Sequence, residues 1–336
     1  MAQAAPAAHE ASKDVSASTL TPALFKRLHP RPFLDKFLEQ RVRPDGRRTG
    51  GTGDAHEDAY RDASVNIGSI STAPSSALVR FGQSTLVCGI TLETAPPDIA
   101  APHLGFIVPN VDLSPLCSGR FRPGPPTDEA QALATRLRDI IIAQVLPFAC
   151  RTLVTPLTLR LDSSNVLPLS ALVIEPGKAV FVVYLDVVCL NYDGGILDAA
   201  MNFLVKLPKA TWDPDTQSVI CDPSQPGTLL PISSVPISVS FGIVNNQLLP
   251  DPTQFESTLC TSQITITLAM PLDQTNRKRS SSSKHSSTDT IKLVSVSQAG
   301  STVAGAQQTA KVAGADQLKA CISLAKSRAQ TLKSLI

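Results

Sequence analysis

Leu78-Val79-Arg80-Phe81-Gly82-Gln83-Ser84-Thr85-Leu86-Val87-Cys88-Gly89-Ile90-Thr91-Leu92 reads as two β-rich limbs joined by a glycine-containing connector, the signature of a hairpin. Upstream, Val65 and Ile67 alternate with polar neighbours and extend the strand pattern. Downstream, residues 96–126 are too rich in proline for a helix, and at Thr127 the rhythm changes. Thr127 is placed to cap, Asp128 and Glu129 suit the positive end of a helix dipole, and Leu133, Leu137, Ile140, Ile141 and Val145 recur at helical spacing up to Pro147. Strands are expected at 157–161 and 179–190, then a turn at Asp193-Gly194-Gly195, then a helix through Ala199, Phe203 and Leu204 ending before Pro208. A second strand set follows at Val235–Val244, Gln247–Asp251 and Gln263–Met270. There Val239-Ser240-Phe241-Gly242 echoes Val79-Arg80-Phe81-Gly82 and hints at duplication. A last helix is expected from about Asp316, with Leu318, Cys321, Ile322, Ala325, Ala329 and Leu332 on one face and Lys326, Arg328 and Lys333 outside it. Strand-rich halves that each carry helices predict an α+β layered fold with a mixed sheet.

The remaining segments set the boundaries. Residues 1–20 read as a flexible N-terminal arm, and Thr21–Gln40 as two short helical pieces interrupted by Pro30 and Pro32. Arg43-Pro44-Asp45-Gly46-Arg47 is a strong turn signal. Residues 21–336 read as a single domain with insertions near 208–234 and 277–290. The 336 residues carry 30 basic and 28 acidic side chains, a net charge of +2, so any nucleic-acid contact has to come from local clusters. No apolar run reaches the roughly 18 residues of a membrane span, and residues 1–20 lack the apolar core of a secretory signal. Seven cysteines without a CxxC pair and five scattered histidines predict reduced, mostly buried thiols and no metal or other cofactor. Composition alone therefore predicts a soluble intracellular protein.

Several stretches together resemble the RNase PH family, and more closely the RNase PH-like subunits of the eukaryotic exosome ring. They are Arg43–Arg47, Ala77–Gly82, Val111–Pro126, Asp193–Ala200 and Gly242–Asn245, in the family's order over roughly 30–335. Cys117-Ser118-Gly119-Arg120-Phe121-Arg122-Pro123-Gly124-Pro125-Pro126 is most similar to a non-catalytic ring subunit. The resemblance implies duplicated βαβα halves with mixed sheets packed against helices. It also implies a place in a six-membered ring that threads RNA and supports 3′-to-5′ RNA degradation and rRNA processing. The implied partners are other RNase PH-like subunits, S1/KH cap subunits and a hydrolytic nuclease, in nucleus, nucleolus and cytoplasm.

Active relatives hold phosphate through an arginine after Asp-Gly-Gly-Thr and another just before the Thr-x-Glu that opens the long helix. Here Leu197 and Pro126 occupy those places. Their carboxylate pattern is Glu-Asp, five residues, then Asp-Met; here Glu256 is followed by Ser257, and Gln263 by Ile264. Serine and glutamine offer none of the charged oxygens that a hard cation prefers. Each lost oriented group commonly costs on the order of 10²–10³ in rate. The expectation is a structural subunit without phosphorolytic activity; the alternative is an active phosphorolytic 3′-to-5′ exoribonuclease.

Of the charged residues that remain, Asp193 reads as a turn residue, and Asp198 as a first-turn residue favoured by the helix dipole. Asp251 stands at a strand end without an acidic partner at Ser257. Arg120 and Arg122, on a Gly/Pro-rich loop, are the first candidates for RNA or subunit contact. Arg136 and Arg138 on the long helix suit an ion pair, with RNA second. Arg43, Arg47 and Arg48 read as a solvated turn, and Arg277-Lys278-Arg279 with Lys284 and His285 as a solvated loop, an import tag or a loose RNA patch. Trp212 and Tyr60 are too isolated to form a stacking platform.

Overall fold

The computed structural model describes residues 21–49, 59–71, 73, 75–142, 159–160, 167–200, 206–207, 210–213, 218–221, 228–229, 234–245, 247–271, 291–300 and 310–333. The expected N-terminal arm, the continuation of the long helix to Pro147 and the basic serine loop lie outside them. The chain divides into two compact units, residues 1–46 and 47–336.

The first unit holds α1 (Pro22–Leu28) and α2 (Pro30–Glu39), the two helical pieces expected. Both begin on a proline, which lacks the N–H that a first turn leaves unbonded and presets the helical φ. Leu34 and Leu38, four residues apart on one face, are buried. Arg43 is fully buried, so the solvated turn does not describe it.

The second unit is built on two sheets. The first takes β1 (Ala63–Ile67), β2 (Ser75–Phe81), β3 (Ser84–Ala95) and β4 (Phe106–Asp112). The helix α3 (Asp128–Ile142) follows, and after it the two-residue strand β5 (Leu159–Arg160), which belongs to the other sheet. Then come β6 (Val173–Glu175) and β7 (Ala179–Asn191), with order β1-β2-β3-β7-β4 and β6 paired to β7. The predicted hairpin is β2–β3, closed by Phe81 opposite Ser84 with Gly82 at φ +58. β4 runs parallel to β7, which makes the sheet mixed. This strand inside the Pro-rich stretch is absent from the sequence reading. Pro109 is tolerated in it because β4 is the edge, where a missing N–H breaks no second ladder.

Of the expected helix ending before Pro208, α4 (Ile196–Ala199) is present, residues 201–205 lie outside the described residues, and β8 (Lys206–Leu207) directly precedes that proline. The expected insertion contains β9 (Ala210–Asp213), β10 (Ser218–Cys221) and β11 (Thr228–Leu229), which pair as β9–β10 and β8–β11. The second sheet then uses β12 (Ser234–Val244), β13 (Gln247–Pro250), α5 (Gln254–Leu259), β14 (Ser262–Pro271) and β15 (Lys292–Gly300). Its order is β13-β12-β14-β15-β5, all antiparallel. The echo between halves is inexact: Gly82 turns a hairpin, whereas Gly242 lies inside β12, where a Cβ would collide with the Cys260 thiol.

Each sheet has its own core. Leu137, Ile140 and Ile141 of α3 join Ala77, Val79, Leu86, Cys88 and Val187 beneath the first. The last helix, α6 (Ala310–Lys333), starts earlier than expected and packs Cys321, Ala325 and Ala329 against Phe241, Ile264, Ile266 and Leu268. Cys88, Cys117, Cys189 and Cys321 are buried free thiols and Cys260 is half-buried. No helix among the described residues is long and apolar enough to cross a membrane.

Candidate functional site

The turn after β7 is the place where the two halves meet. Asp193-Gly194-Gly195 uses left-handed φ values of +79 and +68 at its glycines, a region that side chains enter only with strain. Ser84 at the start of β3 holds the turn twice: its Oγ donates to the Gly194 carbonyl at 2.9 Å and accepts from the Asp193 N–H at 3.0 Å. From the other half, the Gln254 N–H reaches the Asp193 carbonyl at 3.2 Å.

Across this junction lies a buried ionic knot. Asp251, just past β13, sits at φ +50 with its N–H on the Ser240 carbonyl at 2.8 Å. Its side chain is 2% exposed. One carboxylate oxygen accepts from the Arg61 backbone N–H and Nε, both at 2.9 Å, and from Arg47 Nη1 at 3.2 Å. The other accepts from Arg61 Nε at 3.1 Å and from Nη2. Arg61 also donates to the Asp193 carbonyl at 2.8 Å and lies over the Phe81 ring, 4.8 Å from its centre. Burial works against the Arg61 charge, but the hydrogen bonds and charge of Asp251 outweigh it and hold the guanidinium above its ordinary range. A side chain at Gly195 would be strained at φ +68, and its Cβ would come within 2.7 Å of Arg61 Nη2.

Two further arginines belong to the knot. Arg47 is 11% exposed, donates to the Ala59 and Asp251 carbonyls at 3.1 and 3.0 Å, and stands 3.9 Å from Glu256. It is a buried clamp rather than part of a solvated turn. Arg328 of α6 donates to the Arg61 carbonyl at 2.7 Å and lies over Tyr60 at 4.9 Å, on the packed face of α6 and not outside it as expected. Burial pushes the Tyr60 phenol far above its ordinary value, with Arg328 opposing and Asp251 adding to the rise.

The acidic residues are equally committed. Glu256 closes a capping box on α5: its Oε2 accepts from the Thr253 N–H at 2.9 Å, and its own N–H reaches Thr253 Oγ1 at 3.4 Å. Asp198, expected in a first helical turn, does stand in the first turn of the four-residue α4 and is buried there. Its Oδ2 accepts from the Ser240 N–H at 3.0 Å, and Oδ1 has no hydrogen-bond partner. Burial, reinforced by the nearby Asp251 charge, pushes its carboxyl up to about 7. Among the described residues, no group of three or more His, Cys, Asp or Glu is arranged to hold a metal ion.

Of the four positions that the family resemblance singles out, the structure joins Ser257 and Gln263 by a hydrogen bond. Leu197 is 7% exposed and belongs to the first core. Ser257 Oγ turns inward to the Gln254 carbonyl at 2.9 Å, and Gln263 Nε2 donates to the Ser257 carbonyl at 2.8 Å. Pro126 is exposed and offers its carbonyl to Gln131 at 3.2 Å. Nearby, Arg120 and Arg122 are exposed on the loop leading to α3, with Arg136 half-buried and Arg138 exposed on the helix itself. Arg120 Nη2 donates to Glu129 Oε2 at 2.6 Å, and the Tyr192 hydroxyl donates to Glu129 Oε1 at 2.5 Å. Sequence reasoning missed Arg61, Arg328, Tyr192 and the structural role of Glu129. Arg328 had a signal, because it falls seven residues after Cys321 and three after Ala325. Arg61 had none.

Comparison with known proteins identifies the architecture. Residues 59–202 match the RNase PH description "3' exoribonuclease family, domain 1", and residues 234–282 match domain 2 of the same family. The match with "Exosome complex component rrp43" of Schizosaccharomyces pombe is 38% identical over 256 residues, 74% of this chain and 84% of that protein. "Exosome complex component Rrp42" of Pyrococcus furiosus is 33% identical over 70% of this chain and 77% of its own length. A solved structure titled "archaeoglobus fulgidus exosome with RNA bound to the active site" aligns with a TM-score of 0.61 at 25% identity, covering 90% of this chain and 97% of that one. The chain belongs to the RNase PH family of 3′ exoribonucleases and their relatives. Within it, the similarity runs to proteins named as exosome components.

Proposed function

We propose that this chain is a non-catalytic subunit of an exosome core ring, supporting 3′-to-5′ RNA degradation and rRNA processing through its partners. The similarity to Rrp43 and Rrp42 components supports the assembly. The loss of catalysis is supported above all by the state of Asp251, whose two carboxylate oxygens are spent on Arg61 and Arg47. A hard cation needs several open, charged oxygens. Asp251 offers none, Glu256 is locked in its capping box, and Ser257 and Gln263 are neutral. The phosphate grip is missing as well, with Leu197 in the apolar core and Pro126 on the surface.

In this reading the partners are other RNase PH-like ring subunits, S1/KH cap subunits and a hydrolytic nuclease, in nuclear, nucleolar and cytoplasmic pools. Arg120, Arg122 and Arg136 contact the RNA backbone on its way to that nuclease. Exposed guanidiniums on a Gly/Pro loop reach phosphate oxygens without desolvating a core. The test is twofold. Purified chain incubated with RNA and phosphate releases no nucleoside diphosphates, and native mass measurement after isolation from its own cells gives a multi-subunit particle. Diphosphate release, or a lone 35.5 kDa species, overturns the reading.

A further inference from the structure

Arg120 is not a bare cation. The loop that carries it is anchored by Phe121, which is buried and meets Tyr192 edge-on at 5.3 Å between ring centres. Arg120 stays half-exposed, at 51%, and its guanidinium lies 5.6 Å from the centre of the Phe121 ring. It is also bonded to Glu129, itself 31% exposed on the first turn of α3. A carboxylate and a phosphodiester present the same kind of charged oxygen pair to a guanidinium. Glu129 therefore occupies the place that a backbone phosphate would take.

Glu129 is also held in that position. The Tyr192 hydroxyl donates to its second oxygen, and Tyr192 is fixed by its own N–H on the Cys117 carbonyl at 3.1 Å, one residue before the Asp193-Gly194-Gly195 turn. Burial, with the Glu129 hydrogen bond and charge behind it, pushes the Tyr192 phenol far above its ordinary value, so the hydroxyl remains a donor throughout the physiological range.

We propose that Glu129, latched by Tyr192, is a built-in counter-charge that neutralises Arg120 until an RNA phosphate displaces it, and so weakens and tunes RNA contact at the 113–126 loop. The proposal rests on the RNA reading of Arg120. Single-stranded binding releases about 0.7 counterion for each phosphate neutralised. An arginine already paired to a carboxylate contributes less of that release.

The test measures binding of a fluorescent oligouridylate to the full chain, in its assembly where one forms, as a function of salt. Glu129→Gln keeps the shape and removes the charge. It is expected to tighten binding about twofold to fivefold at low salt, the span of one exposed ion pair, and to steepen the log–log salt slope by about 0.7. Tyr192→Phe is expected to produce a smaller gain in the same direction. The deciding arm is the double variant: in an Arg120→Ala background, Glu129→Gln is expected to give no gain. A gain that persists in full without Arg120 would mean general charge repulsion and sinks the latch. Unchanged binding in both Glu129→Gln and Tyr192→Phe, with Arg120→Ala weakened, also sinks the latch but leaves the RNA reading standing. If Arg120→Ala itself binds normally, the RNA reading and the latch fall together.

Discussion

The two halves of the second unit solve the same problem, one helix over one sheet, with opposite materials. α3 buries large branched side chains, Leu137, Ile140 and Ile141, and keeps its charges outside. α6 buries the small residues Cys321, Ala325 and Ala329 and inserts an arginine among them. Small residues let a helix approach its sheet closely, and here they leave Arg328 able to reach the Arg61 carbonyl in the other half. The polar contacts of α3, from Glu129 to Arg120 and Tyr192, stay within its own half. α6 instead ties the halves together, and Asp251 completes the tie by gripping Arg61 from the far side of the junction.

That contrast can be broken most severely at Asp251. Asp251→Ala takes the nearest anion from two buried guanidiniums, leaving them only the longer contacts to Asp193 and Glu256, and is expected to lose about 3–5 kcal/mol of stability, seen as a shift of the denaturant midpoint. An unshifted midpoint would mean that the knot contributes nothing to joining the halves.

Next comes the packing difference itself. Leu137→Ala opens a cavity in the first core at a cost of about 2–5 kcal/mol. Ala325→Leu overfills the second core at a cost of about 1–3 kcal/mol. Thermal melts of the two variants read both, and a tolerated Ala325→Leu would show that α6 has room to spare.

Asp198 sharpens the comparison through pH. Its folded carboxyl titrates near 7, above the ordinary value of 3.8. The folded state therefore binds the proton more tightly than the unfolded state, and stability falls as pH rises between those values. Below that window there is no penalty, and above it the penalty is full. Asp198→Asn is expected to raise stability at pH 8 by about 1–3 kcal/mol, the range for an unsatisfied buried polar group, and to change little at pH 4. Equal gains at both pH values would show that its charge is not the cause. Smallest of all, Thr253→Ala removes one cap of α5 and is expected to cost about 1 kcal/mol, measurable as faster amide exchange over residues 254–259.

Much of this molecule can be read from local rules. The Gly82 connector, the start of α3 at Thr127 and the stripe of α6 each follow from residues close in sequence. β4 eluded them because edge pairing excuses a proline that an interior strand would reject. Of the site, Leu197, Ser257 and Gln263 stand out only against the pattern that the family resemblance supplies, and the structure adds the partners each of them has. The knot could not be read in this way. Arg61 and Asp251 stand 190 positions apart, and the φ of +50 that aims Asp251 has no marker in its residue type. Arg47 stood in a recognisable turn, but its destination depended on a strand end some two hundred residues away.

The burial of Leu197 bears on what that position can accept. Its side chain is now part of the wall that seals the first half. An arginine at that position would trap a cation among aliphatic neighbours. Position 197 is therefore committed to packing, and a charge placed there would be felt throughout the first half before it could meet any anion.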